Sequence, residues 1–240
     1  MKNITRSHEM AIIAKVAYED GAKANAIFKT MGYGKHEFIE NEGAQCHVVW
    51  NDEEVIIGFR GTEPDEFSDI KADLNAIPRK WEAGGLVHKG FCNELDKIWT
   101  QLSLVLKKEL KDRKLFITGH SLGAAMATLA ASKLENSCTC LYTYGSPKAG
   151  SRKFVKSINV PHYRHVNNND IVPKVPFSFL GYRHHGELRY INYYGNIRKM
   201  TKWQRVKDQF RGRWRAIKKW QMFDGAYDHG MDNYKKYLGK

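Results

Sequence analysis

The stretch "LFITGHSLGAAMATLAA" (residues 115–131) constrains the fold of this 240-residue chain more than any other. A run of β-branched and apolar residues stops at a serine held between glycines, and alanines follow. That pattern predicts a buried strand, a sharp turn and a buried helix, with Ser121 at the turn. A serine hydroxyl is a poor nucleophile until a base takes its proton. A Gly-x-Ser-x-Gly turn between strand and helix lifts that oxygen above the sheet edge in a strained conformation. Gly119 and Gly123 remove side chains that would clash there, and Ala124, Ala125, Ala127, Ala130 and Ala131 let the helix approach the sheet. Ser121 reads as a catalytic nucleophile; an ordinary loop serine would not need this setting.

The remaining periodicities agree. Residues 9–18 read as a helix, and "AQCHVVW" and "EVIIGFR" as strands of a hairpin turned at Asn51-Asp52. Residues 92–110 have helical length. "KLFIT", "CTCLYTYG" and "PHYRHVNN" read as strands, and residues 122–134 as a helix. Strands alternating with helices predict an α/β fold class: a mostly parallel central sheet with helices on both faces. Without a linker or an internal repeat, residues 1–240 read as a single domain.

Cys46, Cys92, Cys138 and Cys140 are too few and scattered for a disulfide framework. Alternation puts Cys138 and Cys140 on one face of their strand, as buried thiols. No Cys/His cluster has metal-ligand spacing, so the expected metals and cofactors are none. The N-terminus lacks an apolar leader and no stretch approaches a membrane span, so a cytoplasmic location is the default expectation. The net charge is +13, and residues 198–219 hold ten Lys/Arg against one acid, Asp208.

An oxyanion formed at a serine ester needs two preorganised donors. The N–H of Leu122, next after the nucleophile, is one. The loop "GFRGT", which follows a strand, offers the other. In α/β-hydrolases the order is serine, acid, histidine. Asp170 follows the strand "HYRHVNNN", and His229 lies in the glycine-containing "FDGAYDHGMDNY" before a short terminal helix. Rivals are Asp224 and Asp228 for the acid, and His184 and His185 for the base. His88 and His120 read as local hydrogen-bonding residues that shape the site. His162 and His165 precede the acid and do not fit the base's place.

With these pieces the chain resembles the lipase class 3 family, the fungal triacylglycerol lipase-like α/β-hydrolases. The resemblance rests on "IIGFRGTE", "HKGF", "ITGHSLGAAMATLAA", "YTYGSPKAG", "HVNNNDIVPKVP" and "DHGMDNY", in the family's order. It implies an α/β-hydrolase fold and a Ser121–Asp170–His229 triad acting on carboxylic esters of lipids. It also implies Thr62 as the second oxyanion donor, where the family often has serine. Residues 64–77 place Phe67, Ile70, Leu74 and Ile77 on one helical face, and their position resembles that of the family's lid.

The basic segment near 198–221 sets Trp203, Val206, Phe210, Trp214 and Ile217 at helical spacing among cations. It suits an interfacial helix on an anionic lipid surface, or a helix packing its aromatic stripe on the domain. The expected function is a lipid-ester hydrolase, a triacylglycerol lipase or esterase, with phospholipase A1 as the nearest alternative. A catalytically silent module binding anionic membrane or nucleic acid is the alternative of another class. Against it, such a module needs no Ser121, Asp170 and His229 together, so nucleic acid is not an expected partner. Oligomeric state is not legible.

Overall fold

The computed structural model describes residues 5–61, 77–218 and 228–239. Helices α1 (Arg6–Val16) and α2 (Gly21–Thr30) open the chain. They start where Thr5 and Asp20 accept the backbone N–H groups of His8 and Lys23, as side-chain N-caps do. Strands β1 (Lys35–Asn41), β2 (Ala44–Trp50) and β3 (Glu54–Phe59) form an antiparallel meander, which contains the predicted hairpin. β4 (Pro78–Lys80) and β5 (Leu86–His88) precede the long helix α3 (Lys89–Glu109). β6 (Lys114–His120), α4 (Leu122–Lys133) and β7 (Cys138–Tyr144) follow, and then β8 (Gly150–Ser151), α5 (Arg152–Ser157) and β9 (His162–Asn167). β10 (Tyr182–Arg183), β11 (Glu187–Ile191), α6 (Lys202–Lys218) and α7 (Met231–Leu238) complete the described elements.

The central sheet runs β1-β2-β3-β6-β7-β9-β11, parallel from β3 onward. Its middle strands read as near-continuous apolar runs because both faces are covered. One face packs on α3 and α4 through Ile57, Leu95, Ile98, Leu115, Ile117 and Leu129. The other packs on α1, α2 and α7 through Ile13, Phe28, Val49, Ile56 and Tyr234. A small antiparallel sheet, β10-β8-β5-β4, had no signal in the sequence because its strands are two or three residues long.

One expectation about the fold is corrected. Cys138 and Cys140 face opposite sides of the sheet, since Cys138 joins the α3/α4 core and Cys140 the α1/α7 core. The register against β6 slips between Leu115 and Phe116, so the period-two rule fails across the irregularity. On α6 the aromatic stripe does not pack on the domain: Trp203 and Phe210 are 67% and 69% exposed, and Trp214 is exposed as well. The inward side is polar. Asp208 is buried, with Oδ2 accepting from Asn168 Nδ2 (2.8 Å), the Tyr193 N–H (2.9 Å) and the Tyr190 hydroxyl (3.1 Å). Gly212, expected to weaken this helix, lies where a Cβ would come within 2.7 Å of Asn168 Oδ1. It lets α6 approach the loop ahead of Asp170. The proposed lid residues Phe67, Ile70 and Leu74 lie outside the described residues, and Ile77 is exposed.

Candidate active site

Ser121 joins β6 to α4 with φ 55° and ψ −127°. A non-glycine residue there costs on the order of 1–3 kcal/mol, held by its surroundings. The turn is clamped by Ser121 N–H donating to Tyr144 O (3.1 Å) and Ala124 N–H donating to Ser121 O (3.0 Å). It also depends on close backbone approach. A Cβ on Gly119 would strike the Gly123 carbonyl, and one on Gly123 the Phe59 carbonyl at the end of β3. Ser121 is 1% exposed, and its Oγ has no hydrogen-bond partner among the described residues. Leu122 opens α4, so its N–H has no intrahelical acceptor.

His229 and Asp170 meet. Nδ1 of His229 lies 3.0 Å from both carboxylate oxygens of Asp170, and both side chains are buried. Nδ1–H donating to an ionised carboxylate leaves the lone pair on Nε2. The ring of His120, the residue preceding Ser121, stacks on that of His229 at 4.3 Å between centroids. His229 is not in an open loop: residues 228–229 have helical backbone, ahead of Gly230 at the start of α7. Gly145 makes room for the pair, since a Cβ there would fall 2.8 Å from Asp170 Oδ2 and from His229 Nδ1.

His120 does hydrogen-bond locally. Its Nε2–H donates to His229 O (2.7 Å), and Nδ1 accepts from the Tyr18 hydroxyl (2.8 Å). Burial, reinforced by His229, holds its pKa well below the usual histidine value, so it is a neutral bridge. His88 departs from expectation. Its ring stacks on Phe91 at 4.1 Å, and neither ring nitrogen has a partner among the described residues.

The rivals are placed elsewhere. Asp228 accepts from the Asn169 N–H (3.0 Å), and its carbonyl accepts from Asn167 Nδ2 (2.9 Å), so it braces the loop that carries Asp170. His184 Nε2 bonds Pro173 O (2.7 Å), and His185 Nε2 bonds Ile158 O (3.2 Å). Asp224 and Thr62 lie outside the described residues. Gly61, just before Thr62, is described: a Cβ there would fall 2.5 Å from His120 O and 3.2 Å from Ser121 Cβ. The "RGT" loop therefore leaves β3 directly beside the serine.

Two contributors escaped the sequence reading. The Tyr234 hydroxyl donates to Asp170 Oδ2 (2.5 Å) and accepts from the Asn167 N–H (3.0 Å). Burial first, and Asp170 next, push its pKa well above the ordinary tyrosine value, so it stays a donor. The other is Lys148, whose Nζ donates to the carbonyls of Lys174 (2.6 Å), Pro176 (3.0 Å) and Pro173 (3.3 Å). It staples the turn that follows Asp170.

A buried Asp-His pair beside a serine displayed at a helix N-terminus, on a mostly parallel sheet, defines an α/β-hydrolase. Residues 56–180 match the model of the family Lipase (class 3), and the chain belongs to that family. It is 34% identical over 152 residues to a lipase of Rhizomucor miehei, covering 57% of this chain and 41% of that protein. Toxin TseL of Vibrio cholerae is 33% identical over 185 residues, covering 57% of this chain and 28% of the toxin. The secreted mono- and diacylglycerol lipase 1 of Fusarium solani is 36% identical over 110 residues, covering 42% of this chain and 33% of that lipase. The chain thus spans less than half the length of these relatives.

Among solved structures, a lipase of Rhizopus microsporus var. chinensis superposes with a TM-score of 0.66 at 25% identity, covering 77% of this chain and 72% of that one. A triacylglycerol lipase whose catalytic centre is formed by a serine protease triad superposes at 0.64, also at 25% identity, covering 77% and 78%. The relatives also overturn the cytoplasmic expectation. A secreted lipase and a toxin point outside the cell. Export addresses are not all apolar leaders, so the composition of the first residues did not carry the compartment.

Proposed function

We propose that this chain hydrolyses carboxylic esters of lipids through an acyl-enzyme on Ser121. The observation that carries the reading is the Asp170–His229 Nδ1 pair beside a buried serine held at positive φ. Nε2 of His229 takes the hydroxyl proton as Oγ attacks the ester carbonyl, and the tetrahedral oxyanion forms. That proton passes to the leaving alcohol, and water then repeats the sequence to release the acid. Asp170 fixes the tautomer and balances the imidazolium. Leu122 N–H and Thr62 are the proposed oxyanion donors, supported by the helix start at Leu122 and by Gly61's place against Ser121. The sequence spacing of Phe67, Ile70, Leu74 and Ile77, directly after that loop, supports a lid there.

Helix α6 supports contact with anionic lipid surfaces, because its cations surround an exposed row formed by Trp203, Val206, Phe210 and Trp214. Basic residues near such a surface contribute about 1 kcal/mol each, screened by salt. Inserted rings add apolar burial that salt leaves alone. Trp203→Ala with Trp214→Ala should weaken sedimentation with anionic vesicles without lowering Tm.

A chain-length series of nitrophenyl esters, run beside triglyceride emulsion and phospholipid vesicles, tests the activity. Turnover should fall at least about a thousandfold in Ser121→Ala. Preference for phospholipid over triglyceride would select phospholipase A1. Equal turnover in wild type and Ser121→Ala would end the proposal.

A further inference from the structure

Beside Asp170, α6 lines a cavity of about 320 Å³. Four cations from three parts of the chain line it: Arg164 on β9, Lys174 on the turn after Asp170, and Lys202 and Arg205 on α6. Arg164 is only 8% exposed, yet its Nε and that of Arg205 are buried without a hydrogen-bond partner among the described residues. Burying a guanidinium without a counter-charge is strongly unfavourable.

The nearby carboxylates do not supply one. Asp170, which also lines the cavity, is engaged by His229, Tyr234 and the Val172 N–H (2.9 Å to Oδ1). Asp208, the one acid of α6, turns to Asn168, Tyr190 and the Tyr193 N–H instead. The cations also disturb one another. Burial first, and Arg205 next, lower the Arg164 pKa to about 10, and burial and Arg213 lower that of Lys174. Asp170 and Asp228 act on Lys174 in the opposite sense, whereas Arg164 stays charged at neutral pH and hydrogen-bonds no carboxylate among the described residues.

We propose that this cavity binds a phosphate group, held by Arg164 and Arg205 with Lys174 and Lys202 completing the cradle. Phosphate fits better than carboxylate. It offers three acceptor oxygens and nearly two charges as a monoester, against two oxygens and one charge. The planar forks of two arginines suit bidentate contacts to such oxygens. The volume leaves room for an organic remainder, so the source is either a lipid headgroup or a soluble phosphate ester. Either would tie α6 to β9 and to the turn that carries Asp170.

The test titrates inorganic phosphate, glycerol phosphate and phosphatidic acid vesicles at constant ionic strength, with phosphatidylcholine vesicles as control. Binding is read by calorimetry and by Tm on the full chain, wild type against Arg164→Gln and Arg205→Gln. Saturable binding of at least one phosphate source, weakened about tenfold or more in both variants, is expected. Loss confined to phosphatidic acid assigns a headgroup, and loss for the soluble phosphates assigns a free ester. Should Arg164→Gln fold poorly, the half-buried Arg205→Gln carries the test alone. Identical isotherms in wild type and Arg205→Gln would overturn the proposal, and so would no saturable binding of any phosphate. Saturable binding of decanoate with none of phosphate would also overturn it and give the cavity to a carboxylate.

Discussion

Replacing Tyr234 by Phe removes one oxygen from the centre of the acid's environment and keeps the ring. That hydroxyl makes two hydrogen bonds, donating to Asp170 Oδ2 at 2.5 Å and accepting from the Asn167 N–H at 3.0 Å, and Tyr234 is fully buried. A hydrogen bond to an ionised partner is worth about 1.5–3 kcal/mol, and an N–H left unsatisfied in the interior costs about 1–3 kcal/mol. The variant should therefore lose roughly 3–5 kcal/mol of stability. For a chain of this size that lowers Tm by roughly 6–20 °C. Asp170 keeps the Val172 N–H and both contacts to His229 Nδ1, so the pair survives with a looser carboxylate. Turnover of a soluble nitrophenyl ester should fall about tenfold, with KM little changed, because orientation of the base matters only as charge develops. Thermal melts and steady-state kinetics on the purified variant check both numbers. Wild-type Tm together with wild-type kcat would refute the assignment of Tyr234 as a positioning residue.

Gly145→Ala should abolish turnover, because its Cβ falls 2.8 Å from Asp170 Oδ2 and His229 Nδ1, and kinetics on a folded variant decide it. Ser121→Gly should raise stability by about 1 kcal/mol while removing activity, since glycine tolerates φ 55° without strain. An unchanged urea midpoint would mean that the turn stores no strain. Acid should destabilise the fold as soon as the pH falls below neutral. Burial lowers the pKa of His47 and His88 to about 4, and that of His165 to about 3. Their unfolded imidazoles take up protons near 6.5 while the folded ones stay neutral, so the unfolded chain binds more protons as pH falls through that window. Each contributes about 1 kcal/mol of loss between pH 7.5 and 5.5. Equal urea midpoints at those two pH values would contradict this.

The turn at Ser121 was legible because local chemistry alone demands it. Two glycines, a serine and a row of alanines satisfy contacts within "ITGHSLGAAMATLAA" and its immediate neighbours. The core strands were legible for the same reason, since burial on both faces leaves continuous apolar runs. Asp170 and His229 could be proposed from chain order, but their rivals Asp228 and His184 share residue type and neighbourhood. Only the folded chain separates them, by turning Asp228 to Asn167 and Asn169 and His184 to Pro173. Tyr234 lies 64 residues from the acid it bonds, and Lys148 is 26 from a carbonyl it staples. Such pairings carry no periodicity, so no local pattern announces them.

Helix α6 divides the two kinds of information most clearly. Its spacing of Trp203, Val206, Phe210 and Trp214 determines an amphipathic helix, whatever it packs against. Which side turns inward was decided by the partners. Asn168, Tyr190 and the Tyr193 N–H hold one buried carboxylate, and Gly212 lets the helix approach, so the aromatic face points to solvent. The cavity beneath it follows from that choice, because it gathers Arg164, Lys174, Lys202 and Arg205 from three separate segments. A chain specifies its local conformations through neighbours in sequence. Charges brought together across such separations exist only once the sheet, the turn and the helix have been assembled.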